Sequence, residues 1–133
     1  MKKLTFLTVM TCLLILLQGC GMQSDNEMQS SAIHRIDAKE AKQMMENEDV
    51  IVVDVRTEAE YNEKHIPNAI LVPNETIQEE ALRKLPDTSA TYLIHCRSGV
   101  RSKQASEKLV EMGYEHIYDF GGINNWPYET VSE

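Results

Sequence analysis

Two short segments of this chain are apolar at nearly every position. They read VIVVDV, at residues 50–55, and TYLIHC, at residues 91–96. A strand with one face in water alternates apolar and polar side chains, so a continuous apolar run is typical of a strand that is buried on both faces. Such strands occur in parallel sheets that helices cover on both sides, and this requirement limits the fold more than any other feature of the sequence.

Segments with helical patterns alternate with these runs. Two of them open on a capping box, in which a glutamate follows the capping residue three positions later: Asp37 with Glu40, and Thr57 with Glu60. The other predicted elements are helices at 74–85 and 102–113 and strands at 69–73 and 116–120. The first of these two helices is expected to turn its apolar residues inward, namely Ile77, Ala81, Leu82 and Leu85. The alternation predicts the α/β class, with a central parallel sheet flanked by helices on both faces.

Length, charge and ligand spacing limit the function. With 133 residues the chain has room for one domain. Its net charge of −8 argues against nucleic acid as a partner, because binding a phosphate backbone calls for basic patches. The histidines and cysteines show no paired ligand spacing, so the sequence predicts no metal site and no cofactor.

The first 20 residues differ in character from the rest. Two lysines precede an apolar run from Leu4 to Leu17, which is shorter than the roughly 20 residues of a membrane-spanning helix and is typical of a secretory signal. Its end, LQGC, resembles a bacterial lipobox, where cleavage exposes a cysteine that becomes lipidated. The predicted organisation is a signal peptide at 1–19, a lipidated Cys20 with a flexible tether at 20–32, and a folded domain at 33–133.

A polar loop, CRSGVRS at 96–102, follows the second apolar run. Ligands of parallel sheets bind beyond the carboxyl ends of the strands, and Cys96 lies at such an end. The thiolate is the reactive form of cysteine and needs stabilisation. Gly99 lets successive amides face one point before a helix N-terminus, and Arg97 and Arg101 add two cations. The loop is therefore predicted to hold an anion at the sulfur.

At this loop the chain resembles the single-domain rhodaneses, the thiosulfate sulfurtransferase family. CRSGVRS is similar to the family's active-site loop, and further blocks match in the family's order: VVDVR at 52–56, EYNEKHIPNAILVP at 60–73 and YDFGGINNW at 118–126. The resemblance implies a rhodanese-like fold and an enzyme that works by double displacement. Cys96 would take the sulfane sulfur of thiosulfate or a similar anionic donor and pass it, from a persulfide, to cyanide or a thiol.

The resemblance also implies roles for the residues of the loop. Cys96 is the predicted nucleophile, and the backbone amides that follow it are predicted to bind the transferred sulfur. The implied substrate-binding residues are Arg97, Ser98, Gly99, Val100 and Arg101. Ser102 is the candidate cap of the next helix. His95 precedes the cysteine on a strand, so its side chain is expected on the opposite face, which argues against a Cys–His catalytic pair.

Residues outside the loop are expected to give structural support. Asp54 and Arg56 stand at the end of a central strand, and the resemblance implies that they are structural and that Arg56 pairs with Glu60 in the next helix. His65 is interpreted as holding a turn. Trp126 is interpreted as a packing residue that could also form one wall of the site.

Two other functions remain open from the sequence. A phosphatase or arsenate reductase shares this fold, but the cradle of the phosphatases has five residues between cysteine and arginine. Here four residues separate Cys96 from Arg101, which gives a smaller ring of amides suited to a sulfur atom. A non-catalytic binding module is the second alternative, and the presence of Cys96 argues against it.

The N-terminal pattern predicts an exported protein that acyl chains on Cys20 anchor to a membrane, at the cell surface or in the periplasm. The alternative is cleavage by an ordinary signal peptidase and free secretion. The Cys20→Ala variant should leave the membrane fraction and appear in the soluble fraction, as immunoblots of fractionated cells would show. Unchanged membrane retention of this variant would argue against lipidation.

Overall fold

Five strands form one parallel sheet in the computed structural model, which describes residues 32–133. In chain order they are β1 (Ile33–Arg35), β2 (Ile51–Asp54), β3 (Ile70–Leu71), β4 (Thr91–Cys96) and β5 (His116–Gly122). Their order across the sheet is β1-β5-β4-β2-β3, so β4, which ends in Cys96, is central. The parallel sheet predicted from the two apolar runs is confirmed. The predicted signal peptide, Cys20 and nearly all of the tether lie outside the described residues.

Helices cover this sheet on both faces. Within residues 32–133 they are α1 (Ala38–Asn47), α2 (Glu58–Glu63), α3 (Ile77–Lys84) and α4 (Val100–Glu111), with a 3-10 turn at Ile123–Asn125. Both predicted capping boxes are present. In the first, the Asp37 carboxylate accepts a hydrogen bond from the Glu40 amide at 2.8 Å, and the Glu40 carboxylate accepts one from the Asp37 amide at 2.9 Å. The second box joins Thr57 and Glu60 in the same way.

The side chains of β4 alternate between two apolar cores. Ile94 and Cys96 pack in the core that α3 and α4 cover. Leu93 packs on the other face with Ala41 of α1, and the ring of His95 lies there too, 5.1 Å from that of Phe120. The predicted separation of Cys96 and His95 onto opposite faces is therefore confirmed, and it follows from the two-residue period of a strand.

One apolar residue of α3 does not face inward as predicted. Ile77, Ala81 and Leu85 are fully buried at intervals of four residues, which keeps them on one side of the helix. Leu82 lies about 100° further round the helix than Ala81 and is 59% exposed. The prediction for Leu82 was wrong because α3 covers the sheet along a narrow stripe.

A buried ion pair closes the carboxyl end of β2. Asp54 is fully buried and accepts hydrogen bonds from the Arg56 guanidinium, at 2.7 Å from Nη2 and at 3.0 Å from Nε. The same guanidinium donates to the Lys64 carbonyl oxygen at 2.6 Å. A buried charge pair is tolerated where its remaining hydrogen-bonding groups are also satisfied, and here they tie the end of β2 to the end of α2. Asp54 and Arg56 thus lie in structural contacts at the sheet edge that carries the cysteine loop.

Candidate active site

Cys96 is the last residue of β4 and is almost completely buried, with 1% exposure. It is the one cysteine within residues 32–133, and its thiol is not part of a disulfide bond. The chain leaves the sheet immediately after it and enters α4 four residues later. The sulfur therefore lies between the end of the central strand and the start of a twelve-residue helix.

The backbone of the loop turns back onto this sulfur. Gly99 has φ = +106°, in the left-handed region, and its N–H donates to Cys96 Sγ at 3.0 Å. A side chain other than that of glycine is strained in this conformation. Because Gly99 is also the N-cap of α4, its N–H belongs to the positive end of the helix dipole. The loop thus directs a donor and a positive potential at the sulfur, as the sequence predicted.

Strand β5 supports the loop from the side, through a glycine that the sequence reasoning did not single out. A Cβ atom on Gly122 would lie 2.2 Å from the Arg97 carbonyl oxygen and 2.8 Å from Ser98 Cα. Only a residue without a side chain allows this approach. The Asn124 N–H then donates to the same Arg97 oxygen at 3.2 Å. The sequence signal for this close approach was the Gly121-Gly122 pair, which follows the last predicted strand.

Ser102 does not cap α4. The helix begins at Val100, two residues before the predicted start, so Ser102 lies in its first turn and is fully buried. Its hydroxyl lies within hydrogen-bond distance of two carbonyl oxygens, those of Gly99 at 3.1 Å and Gly121 at 3.3 Å. The prediction of a cap was wrong, and the side chain instead connects the loop to β5.

Arg101 makes a two-pronged ion pair with Glu60. The two guanidinium nitrogens donate to the two carboxylate oxygens at 2.8 and 2.9 Å. The predicted partner of Glu60 was Arg56, and this was wrong because Asp54 and the Lys64 carbonyl already occupy the Arg56 guanidinium. Hydrogen bonding from Arg101 lowers the pKa of Glu60 to about 2. The pair fastens α2 to the first turn of α4.

Arg101 is also close enough to Cys96 for the two to interact electrostatically. The hydrogen bond with Glu60 is the main reason why the pKa of Arg101 is raised, and a negative charge on Cys96 would act in the same direction. The guanidinium of Arg101 is permanently charged. Its charge is partly balanced by Glu60, so the positive potential at the loop is smaller than two free arginines would give.

The remaining loop side chains point into solvent. Arg97, Ser98 and Val100 are exposed, with Val100 at 65%. Arg97 lines a polar cavity of about 140 Å³, together with Arg56, Glu60, Glu63, Lys64, Ile123 and Asn124. These side chains make no hydrogen bond with Cys96, so the loop contacts the sulfur through its backbone.

His65 and Trp126 lie in packing contacts. The His65 backbone pairs with Val131 in an antiparallel bridge, and its ring stacks on Tyr61 with centroids 3.8 Å apart. Trp126 packs against Phe120 at 5.6 Å. Both residues help to hold the C-terminal segment against the sheet.

Residues 32–133 contain neither a cluster of metal ligands nor a membrane-spanning helix. No group of three histidine, cysteine, aspartate or glutamate side chains in this part of the chain is arranged to hold a metal ion. Nor does any helix in the same range have the length and apolar character needed to cross a bilayer.

The fold and the loop define an α/β protein in which the thiol of Cys96 lies at the end of the central strand and accepts a hydrogen bond from a backbone N–H. Residues 37–128 match the sequence model of the rhodanese-like domain. This match spans more than half of the chain, and the chain therefore belongs to the rhodanese-like domain family.

Known proteins similar to this chain include an enzyme of sulfur transfer. Thiosulfate sulfurtransferase PspE of Escherichia coli (strain K12) is 36% identical over 73 residues, which are 55% of this chain and 70% of that protein. A tRNA uridine(34) hydroxylase of Yersinia enterocolitica is 31% identical over 108 residues, which are 77% of this chain and 31% of that protein. The crystal structure of a rhodanese-like domain protein from Staphylococcus aureus superposes on this chain with a TM-score of 0.65 at 33% sequence identity. The superposition covers 75% of this chain and 98% of that protein's chain.

The ion pair between Glu60 and Arg101 should make the stability of the fold depend on pH. The folded-state pKa of about 2 lies below the ordinary value of 4.5, so the pair stabilises the fold above pH 4.5 and loses this effect as the pH falls toward 2. Glu60→Gln should lower the free energy of unfolding at neutral pH by about 1 kcal/mol, because the pair is partly exposed and screened. The difference from wild type should shrink through that pH window.

Urea unfolding at a series of pH values measures this difference. Glu63→Gln, which removes an exposed carboxylate from the same helix, is the matched control. If the difference in the free energy of unfolding between wild type and Glu60→Gln stays constant down to pH 2, the ion pair does not stabilise the folded state.

Proposed function

We propose that this protein is a sulfurtransferase that moves sulfane sulfur from thiosulfate, or a similar anionic donor, through a Cys96 persulfide to cyanide or a thiol. The observation that carries the proposal is the Gly99 N–H on Cys96 Sγ at 3.0 Å, in a loop that begins the helix. Membership of the rhodanese-like family and the sulfurtransferase among its relatives support it. The reaction has two halves.

In the first half, the Cys96 thiolate attacks the outer sulfur of thiosulfate. A bond forms between Sγ and this sulfur, and the bond from the outer sulfur to the central sulfur breaks. The electron pair of that bond leaves with sulfite. The product on the enzyme is a persulfide whose terminal sulfur is an anion. No cofactor enters this step, because the donor supplies the sulfur and the leaving group carries the charge away.

The loop suits each charged species of this half-reaction. Backbone donors at a helix N-terminus stabilise the attacking thiolate and then the terminal sulfur of the persulfide. Their dipoles are fixed before the reaction begins, since Gly122 and Ser102 hold the loop in place. The Arg101 guanidinium adds a permanent charge near the sulfur and attracts the dianionic donor, against the overall negative charge of the chain.

In the second half, an acceptor attacks the terminal sulfur. Cyanide forms a bond to that sulfur, the persulfide bond breaks, and the electron pair returns to Sγ as a thiolate. Thiocyanate leaves, and the enzyme is restored. A thiol acceptor reacts in the same way to give its own persulfide. Because the donor product leaves before the acceptor reacts, the kinetics should be ping-pong.

Loop length separates this proposal from phosphate chemistry. Four residues lie between Cys96 and Arg101, and the Gly99 amide already contacts the sulfur. A bound phosphate would need room for a tetrahedral group between these amides. The small ring therefore favours transfer of a single sulfur atom over a phosphatase or arsenate reductase.

Intact-protein mass spectrometry tests the proposal. After treatment with thiosulfate alone, wild type should gain the mass of one sulfur atom, and cyanide should remove it. Cys96→Ser should gain nothing, because a hydroxyl is far less acidic and less nucleophilic than a thiol. Cyanide-dependent release of thiocyanate should be abolished in the same variant.

Thermal unfolding of Cys96→Ser provides the control that the variant is folded. A wild-type protein that acquires no sulfur from thiosulfate but hydrolyses an aryl phosphate would overturn the proposal in favour of the phosphatase. A wild-type protein with neither activity would favour the binding module.

A further inference from the structure

A buried histidine, His95, immediately precedes Cys96 in the sequence. Among residues 32–133, the side-chain polar atoms that are buried without a hydrogen-bond partner are His95 Nε2 and Ser106 Oγ. His95 is fully buried at the second-last position of the central strand. Buried polar side-chain atoms in native structures are usually hydrogen-bonded, so the unpaired Nε2 of His95 calls for an explanation.

That partner is the Cys96 carbonyl oxygen, 3.1 Å from His95 Nδ1. A carbonyl oxygen only accepts hydrogen bonds, so Nδ1 must carry the proton. Burial lowers the pKa of His95, while the nearby Asp54 opposes this change. The ring is therefore neutral, and Nε2 has no proton.

The surroundings hold the ring in this orientation. His95 Nε2 lies 3.6 Å from Asp54 Oδ2, beyond a good hydrogen bond, and Arg56 already donates to that oxygen at 2.7 Å. Phe120 lies against the ring on the same face of the sheet, with centroids 5.1 Å apart. Asp119 and the guanidinium of Arg56 are the other charges that act on His95. None of these neighbours competes with the Cys96 carbonyl for the Nδ1 proton.

The contact fixes the peptide unit that joins Cys96 to Arg97. All described peptide bonds are trans, so the Arg97 N–H points opposite to the Cys96 carbonyl. The carbonyl oxygen lies 3.1 Å from His95 Nδ1, at the position where β4 also pairs with Gly122 of β5. The Arg97 N–H therefore points away from the His95 ring, and the Cys96 side chain lies on the face of the sheet opposite to that ring.

We propose that His95 is a positioning residue for sulfur transfer: its Nδ1–H holds the Cys96 carbonyl and thereby directs the Arg97 N–H toward the transferred sulfur. This inference rests on the proposed function. His95 touches neither the donor nor the reacting atoms, and it acts through the backbone. This role accounts for a ring whose Nδ1–H donates to the Cys96 carbonyl while Nε2 has no hydrogen-bond partner.

A pair of substitutions of the same shape tests the role. Asparagine and leucine branch alike, but only His95→Asn retains an N–H donor near the Nδ1 position. Both variants lose the ring contact with Phe120. The rate of persulfide formation at low thiosulfate should fall about tenfold in His95→Leu, as expected for one lost hydrogen bond, and stay within about threefold of wild type in His95→Asn. Equal losses in the two variants would overturn the proposal in favour of a packing role.

Nitrogen-15 spectra of the imidazole rings test the contact without any assay of activity. In wild type, the His95 signals should show a protonated Nδ1 and an unprotonated Nε2, and the Arg97 amide signal should shift more in His95→Leu than in His95→Asn. A proton on Nε2 instead of Nδ1 would refute the inference even if both variants unfold. Because these spectra do not depend on thiosulfate, a failed sulfur-transfer assay with the expected ring signals would count against the proposed function and not against the contact.

Discussion

The geometry of the cysteine loop depends on one short contact, the hydrogen bond from the Gly99 amide to the Cys96 sulfur. It requires the chain to reverse within three residues of leaving the sheet, which the left-handed conformation of Gly99 makes possible. It also places the sulfur at the end of a helix that begins immediately after the turn. A thiolate is costly to bury, and a backbone donor with a helix dipole behind it is among the few arrangements that offset this cost without a metal or a second titrating side chain. The position of the loop on the central strand then determines which parts of the fold can support it.

The support comes from four contacts, each of a different kind. Strand β5 presents Gly122, whose missing side chain lets the two backbones approach. Helix α2 presents Glu60, which fixes Arg101 in the first turn of α4. On the far face of the sheet, His95 holds the carbonyl from which the loop departs. The pair of Asp54 and Arg56 secures the adjacent strand end. These contacts hold the loop and orient its backbone dipoles in advance, as the proposed sulfur transfer requires.

The parts of this arrangement that the sequence predicted are those that local rules determine. A run of apolar residues at 91–96 indicated a central strand, and its two-residue period placed Cys96 and His95 on opposite faces. The parts that it missed depend on contacts between distant segments. Glu60 lies 41 residues from Arg101, and no local pattern distinguishes this partner from Arg56, which is only four residues away. The role of Gly122 similarly depends on how closely β5 approaches the loop, which only the packed structure shows.

The central claim is that backbone amides, and not side chains, hold the sulfur that Cys96 transfers. Amide proton and nitrogen-15 chemical shifts of residues 97–101, recorded before and after addition of thiosulfate, test it most directly. Formation of the persulfide should shift these amide signals downfield, with the Gly99 signal among those most affected, because each N–H then donates to an anion. Loop amide signals that stay in place while mass spectrometry shows the added sulfur would contradict the account.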